Sequence, residues 1–205
     1  MKTPRLSTFR RCWPSIRTWL VLTPLFLTFF GWWQWRSAYP FGREHCCDKQ
    51  LYFSLLHYAE THDGTFPTGG ATPEASLSLL YPVFLDAQVL RGKGYSEEAA
   101  AKLLALGKPL TPETCGWHYV DGLKTFSGGK RPKSFHRIAI FWDKIGLGHN
   151  SERLPSGGHN VYFLSGHSRI INETDWPQFL TEQQSAVAAI KRGEDPPLPW
   201  LPDTQ

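Results

Sequence analysis

FHRIAIFW (residues 135–142) and NVYFLSG (160–166) decide the fold. Both are short, crowded with aromatic and β-branched side chains, and flanked by turn formers, which is the texture of strands. HSRIIN (167–172) follows NVYFL across Ser165-Gly166, a pair suited to a two-residue hairpin turn, so these segments are expected to pair antiparallel. WHYVDGL (117–123) has the same texture one step earlier. An antiparallel sheet is therefore predicted in the second half of the chain.

Outward from the sheet the pattern turns helical. CCDKQLYFSLLHYAETHDGTFP (46–67) sets Cys47, Leu51, Leu55 and Tyr58 on one helical stripe. Asp63-Gly64 stops that helix and Pro67 forbids its resumption. Thr72, Pro73 and Glu74 read as an N-cap, a proline at the first helical position and an acid in the first turn, ahead of ASLSLLY. Ser96 caps SEEAAAKLLAL, and Gly107 ends it. Beyond the sheet, Thr174 to Arg192 is predicted helical, carrying Phe179, Leu180, Val187 and Ile190 and stopped by Gly193. PPLPWLP (196–202) fits neither helix nor central strand, so residues 194–205 are expected to be an extended Pro-rich tail. Helices first, strands next and a closing helix give an α+β fold.

Further toward the N-terminus stands TWLVLTPLFLTFFGWWQW (18–35), eighteen residues without a charge in a chain of 205. At about 1.5 Å per residue this helix is roughly as long as a bilayer's hydrocarbon core is thick. Trp13 and Trp19 lie at one end and Trp32, Trp33 and Trp35 at the other, the double aromatic belt expected of a spanning helix. Five of the 22 Lys and Arg residues precede the run and no acidic residue occurs before Glu44. That leaves 17 cations against 18 acids from Arg36 onward, a net charge of −1, so the folded part has no electrostatic case for binding nucleic acid. The positive-inside rule makes 1–17 a cytoplasmic basic tail, 18–35 a single-pass transmembrane helix in the inner (cytoplasmic) membrane, and 36–193 a periplasmic or otherwise extracytoplasmic domain. A cleaved signal peptide is disfavoured, since Ser37-Ala38 is the sole small pair after the run.

Taken in order, these segments resemble the pseudopilin-like proteins, in particular the prepilin-type group named for a His-x9-Asp-Gly motif. The likeness rests on Cys47, Leu51, Tyr58-Ala59, Asp63-Gly64, Phe66-Pro67, the Ser76–Pro82 helix, Cys115, Trp142-Asp143-Lys144 and the hairpin Gly157–His167. It implies an anchor helix, an amphipathic helix packed on a small antiparallel sheet, and a structural role. The sequence departs from the family where Ser165 replaces the hairpin aspartate and Pro155 falls at the motif histidine. Gly31 is followed five positions on by Arg36 rather than Glu, so the prepilin processing and assembly features are missing. A fixed subunit of a larger membrane assembly is therefore expected over a filament component, with the lipid bilayer and other membrane-complex proteins as partners. A minor pseudopilin of a type II secretion or type IV pilus-like machine is the nearest alternative.

Chemistry-bearing residues are few. Cysteines persist as disulfides outside the cytoplasm, and Cys47 with Cys115 is the preferred pair. Closing a loop of about 68 residues, it contributes on the order of 4 kcal/mol in a chain-entropy picture. A vicinal Cys46–Cys47 redox pair and free buried thiols are the other possibilities. His149, His159 and His167, near Asp143, are the weak candidates for zinc and for a metal-dependent periplasmic enzyme, but their spacing matches no metal motif. Ser165 and His167 lie close, yet no Gly-x-Ser-x-Gly elbow, Walker loop or dinucleotide fingerprint occurs. No catalytic residue and no cofactor is expected. Trp200, in the Pro-rich tail, is the candidate contact for a partner's groove.

Overall fold

The computed structural model describes residues 16–43, 48–125, 133–154 and 157–201, and divides the chain into two units, Met1–Ala38 and Tyr39–Gln205. The first unit holds helix α1, Ile16–Ala38, 23 residues with Pro24 inside it. Among the described residues, no helix is long and apolar enough to cross a membrane. The expectation for 18–35 thus stands as a helix and not as a demonstrated span. Its shortfall lies in composition rather than length, because Thr18, Thr23, Pro24, Thr28, Gly31 and Gln34 dilute the run. Hydropathy indices also score its tryptophans as polar.

In the second unit α2 (Asp48–Thr61) buries Leu51, Leu55 and Tyr58 of the stripe read from the sequence, and Ala59 beside them; Cys47 lies outside the described residues. Asp63 and Gly64 both take positive φ, 52° and 72°, and the Gly64 amide returns to the Ala59 carbonyl at 2.8 Å, ending the helix. Short helices follow: α3 (Pro73–Leu77), a 3-10 turn (Ser78–Leu80), α4 (Ala87–Arg91) and α5 (Glu97–Ala105). Thr72, Asp86 and Ser96 cap the three α segments by accepting from Ala75 N, Val89 N and Ala99 N.

Four strands, β1 (Trp117–Tyr119), β2 (Ala139–Asp143), β3 (His159–Phe163) and β4 (Ser168–Ile171), form one antiparallel sheet in sequence order. The α+β class and the antiparallel sheet are as expected. The start of FHRIAIFW differs: Lys133–Arg137 is a 3-10 turn, and pairing begins at Ala139. Ala139 pairs with Phe163 and Phe141 with Tyr162, so Ile140 is an extra residue, a β-bulge. The bulge sends both Ile140 and Phe141 to one face, while Ala139 and Trp142 go to the other. All five β2 residues are consequently buried, because both faces of the sheet are covered. α2, α3 and α4 share the cover on one side: Tyr52 of α2 meets Tyr162, and Trp117 Nε1 donates to Val89 O of α4 at 2.7 Å.

α6 (Trp176–Lys191) supplies the other cover. Phe179 is fully buried against Trp142 and Phe163. The buried stripe runs through Phe179, Gln183, Ala186 and Ala189, with Leu180 and Ile190 partly buried against the core. Gln183 faces the core because it serves the bulge: its Oε1 accepts from Ala139 N at 2.9 Å and its Nε2 donates to Arg137 O at 2.6 Å. The β3–β4 connection is also longer than a two-residue turn. Gly166 N donates to Phe163 O, Phe163 N to His167 O, and Gly166 takes φ 87°. That is a turn followed by a glycine bulge, and it leaves Leu164 free to point into the core.

Candidate functional site

Four features of this chain hold chemical potential: the surface of α1, a cleft beside the hairpin, the histidine and cysteine sets, and a buried polar cluster. On α1, from Trp19 onward, the large apolar side chains are 46–70% exposed, among them Leu20, Leu25, Phe26, Leu27, Phe29 and Phe30. Trp19, Trp32, Trp33 and Trp35 belong to this surface, whereas Trp13 lies outside the described residues. A helix apolar all round has no polar face to turn to water. Left in water, such a surface drives association with another apolar phase.

The cleft, about 520 Å³, opens between α2 and the hairpin turn. Tyr52, Leu56 and Glu60 line one wall and Leu164 and Ser165 the other, with Phe66, Thr125 and Phe135 completing it. At its rim Ser165 Oγ and His167 Nδ1 are hydrogen-bonded at 2.6 Å, a pairing across the turn that strand alternation alone did not suggest. Burial lowers the His167 pKa, and the nearby charges of His136 and Arg169 lower it further. Its ring stacks on Phe163. A base that activates a serine is held by a carboxylate that steadies its cation. Cationic neighbours oppose that role, so the pair reads as a turn lock.

His149, His159 and His167 are not brought together. His159 opens β3 and pairs with Ile171, His167 stands beyond the opposite end of the strand, and His149 is exposed in the loop between β2 and β3. Among the described residues no group of three His, Cys, Asp or Glu side chains is placed to hold a metal ion. His159 instead bonds the Asp143 carbonyl through Nδ1 at 2.8 Å, lies 3.7 Å from the Asp143 carboxylate and stacks on Trp176. Burial disfavours its charge, but the hydrogen bonds and charge of Asp143 outweigh burial and raise its pKa.

Cys115 is buried as a free thiol, with Sγ 3.3 Å from the Leu90 carbonyl, and burial pushes its pKa up to about 12. Cys46 and Cys47 lie outside the described residues, so the pairing of Cys47 with Cys115 is carried forward as a proposal. The Pro-rich tail is engaged on its own domain. Leu201 is buried with Trp142, Val161 and Phe179, Arg137 donates to Pro199 O at 3.1 Å, and Trp200 is half-buried. Leu201 of the tail thus packs on the α6 side of the sheet.

The buried polar cluster was not foreseen. Asp48, Lys93 and Asp143 are each 1% exposed. Lys93 Nζ donates to Asp48 Oδ2 at 2.9 Å and to Leu147 O at 3.2 Å, and sits 5.6 Å from the centre of the Trp117 ring. Asn160 Nδ2 donates to the same Asp48 oxygen at 2.7 Å. Asp143 accepts from Gly146 N and Asn160 N, fixing the start of β3. Lysine and aspartate patterns look alike in sequence whether solvated or buried, and these partners are far apart along the chain. Gly92 and Gly94, with φ of 73° and 72°, flank Lys93. Comparison of the chain with protein-family models, with curated proteins and with solved structures yields no match.

Proposed function

We propose that the chain is a single-pass membrane-anchored, non-catalytic subunit of a larger membrane assembly, with a pseudopilin-like domain outside the cytoplasm. The exposed, all-round apolar surface of α1 carries this reading. Mean hydropathy falls short of a span because polar and small residues dilute the run and because it penalises indole, yet indole is stabilised at the bilayer interface. Trp19 and Trp35 are separated by about 24 Å of helix at 1.5 Å per residue, a spacing suited to two interfaces. An amphipathic interfacial helix would need a charged face, and the only charges in α1 are Arg17 and Arg36, near its ends.

The basic flank, free of acids, supports a cytoplasmic N-terminus. On the folded domain, Phe53 on α2 and Val83 are 64% and 81% exposed and offer apolar contacts to a partner. Sodium carbonate extraction of membranes, with protease protection of residues 36–205, tests the reading. Retention in the pellet with the domain shielded from the cytoplasmic side is expected, and release into the supernatant rejects the anchor. A minor pseudopilin is the second reading, supported by the order of anchor helix, amphipathic helix and antiparallel sheet. N-terminal sequencing separates the two, an intact terminus favouring the fixed subunit and a trimmed, methylated one the pseudopilin.

A further inference from the structure

The cluster around Asp48 holds more than a salt bridge. A lysine amine and an asparagine carboxamide flank one carboxylate oxygen: Lys93 Nζ at 2.9 Å and Asn160 Nδ2 at 2.7 Å from Asp48 Oδ2. A carboxylate only accepts, so the amide nitrogen, the group that would leave, faces the acid. The Lys93 side chain is wholly buried and the Asp48 side chain 2% exposed. Asp48 Oδ1 is also buried and has no hydrogen-bond partner among the described residues. An ion pair kept only for stability is a poor use of such a site, since desolvation offsets most of its attraction and an orphaned oxygen adds to the cost. Asp143 holds the Asn160 backbone in place, and the Trp117 ring flanks the amine.

The geometry points to an internal isopeptide bond between Lys93 and Asn160, formed by the folded chain itself with Asp48 as the proton carrier. The first step passes one Nζ proton to Asp48 Oδ2 along the hydrogen bond that joins them. Neutral Nζ then attacks Asn160 Cγ, and the Nζ–Cγ bond forms. Asp48 delivers its proton to Nδ2, the Cγ–Nδ2 bond breaks, and the second proton shed by Nζ follows. Nitrogen departs as ammonium, Asp48 returns to a carboxylate, and nothing is oxidised or reduced. The product ties the α4–α5 connection to β3 with a link that reductants do not open. This inference is independent of the membrane reading, because it concerns the Tyr39–Gln205 unit alone.

Intact-mass spectrometry of the full-length protein, purified in detergent and then denatured and reduced, is the test. A mass about 17 Da below that of the unlinked chain (one ammonia) is expected, with a cross-linked peptide pair containing Lys93 and Asn160 after digestion. Lys93→Arg, which keeps the charge and lacks the nucleophile, should restore the unlinked mass. Asp48→Asn should do the same in a chain that still folds by circular dichroism. The unlinked mass in the native protein overturns the proposal. So does a deficit of about 18 Da with Lys93 joined to Asp48, which would make the aspartate the acyl donor. Undiminished linkage in Asp48→Asn removes Asp48 from the mechanism.

Discussion

Leu27 lies near the middle of the uncharged stretch 18–35, and replacing it with arginine tests the spanning reading where it is most exposed. Eight side chains drive insertion: Leu20, Val21, Leu22, Leu25, Phe26, Leu27, Phe29 and Phe30. On an insertion scale each contributes about −0.3 to −0.6 kcal/mol at the helix centre, so together about −2.4 to −4.8 kcal/mol. Three threonines, Pro24, Gly31 and Gln34 work against that sum, which leaves a narrow margin. Leu27→Arg forfeits about 0.5 kcal/mol and adds about 2.5–3.5, a change of about 3–4 kcal/mol. At 1.4 kcal/mol per tenfold, the inserted fraction falls by about two to three orders of magnitude relative to the uninserted one.

The assay is the carbonate-resistant fraction of full-length wild type, Leu27→Arg and Leu20→Arg expressed at matched levels. Leu20 is the third residue of the run, where an arginine reaches the headgroups along its own stem, so its substitution costs far less. Leu27→Arg should leave the membrane pellet while Leu20→Arg stays. Equal retention of the two variants would refute the argument, because a helix resting on the surface has no centre and treats both positions alike.

Other predictions concern the folded unit. Gln183→Leu keeps the volume but strands Ala139 N and Arg137 O in a buried place, so urea unfolding should show a loss of about 2–4 kcal/mol; a loss under 0.5 would mean that α6 does not cap the bulge. Gly158→Ala puts a Cβ against the Ile171 carbonyl oxygen, a backbone atom, and should cost about 2 kcal/mol or more, whereas Gly69→Ala, with open space around it, pays only for its φ of 99°, about 1 kcal/mol. His159 has a raised folded pKa, so its stabilisation is fully present below the unfolded value and lost as pH rises through the folded one. The stability gap between wild type and His159→Gln should accordingly be larger at about pH 5 than at about pH 9, and a gap independent of pH removes the Asp143 contact from the account. For the Cys47–Cys115 proposal, a gel-mobility change on reduction should vanish in Cys115→Ser; its persistence there discards the pairing.

What could be read from the sequence follows the range of the forces involved. Thr72 and Ser96 were identifiable as caps because their partners, Ala75 N and Ala99 N, lie three residues away, and a cap is a local hydrogen bond. The α2 stripe was equally open to reading, since Leu51, Leu55 and Tyr58 repeat with the helix's own period. The bulge at Ile140 was not. IAIFW is apolar throughout, so period-two counting has no contrast to register an extra residue, and only Gln183, on a different element, reveals where the bulge sits. Asp86, which caps α4, was missed because neither a proline nor an acid follows it to mark a first turn, as Pro73 and Glu74 follow Thr72.

The range of the forces also separates α1 from the buried polar cluster. α1 announces itself because a solvent preference is a summed property of adjacent residues, and eighteen uncharged positions in a row make the sum visible. The cluster of Asp48, Lys93 and Asn160 is assembled by α2, the α4–α5 connection and β3, so its existence depends on the whole tertiary fold. Each residue alone is ordinary. Their shared oxygen atom, walled from water by the packed sheet and helices, is what turns three common side chains into a place where acyl transfer is chemically open.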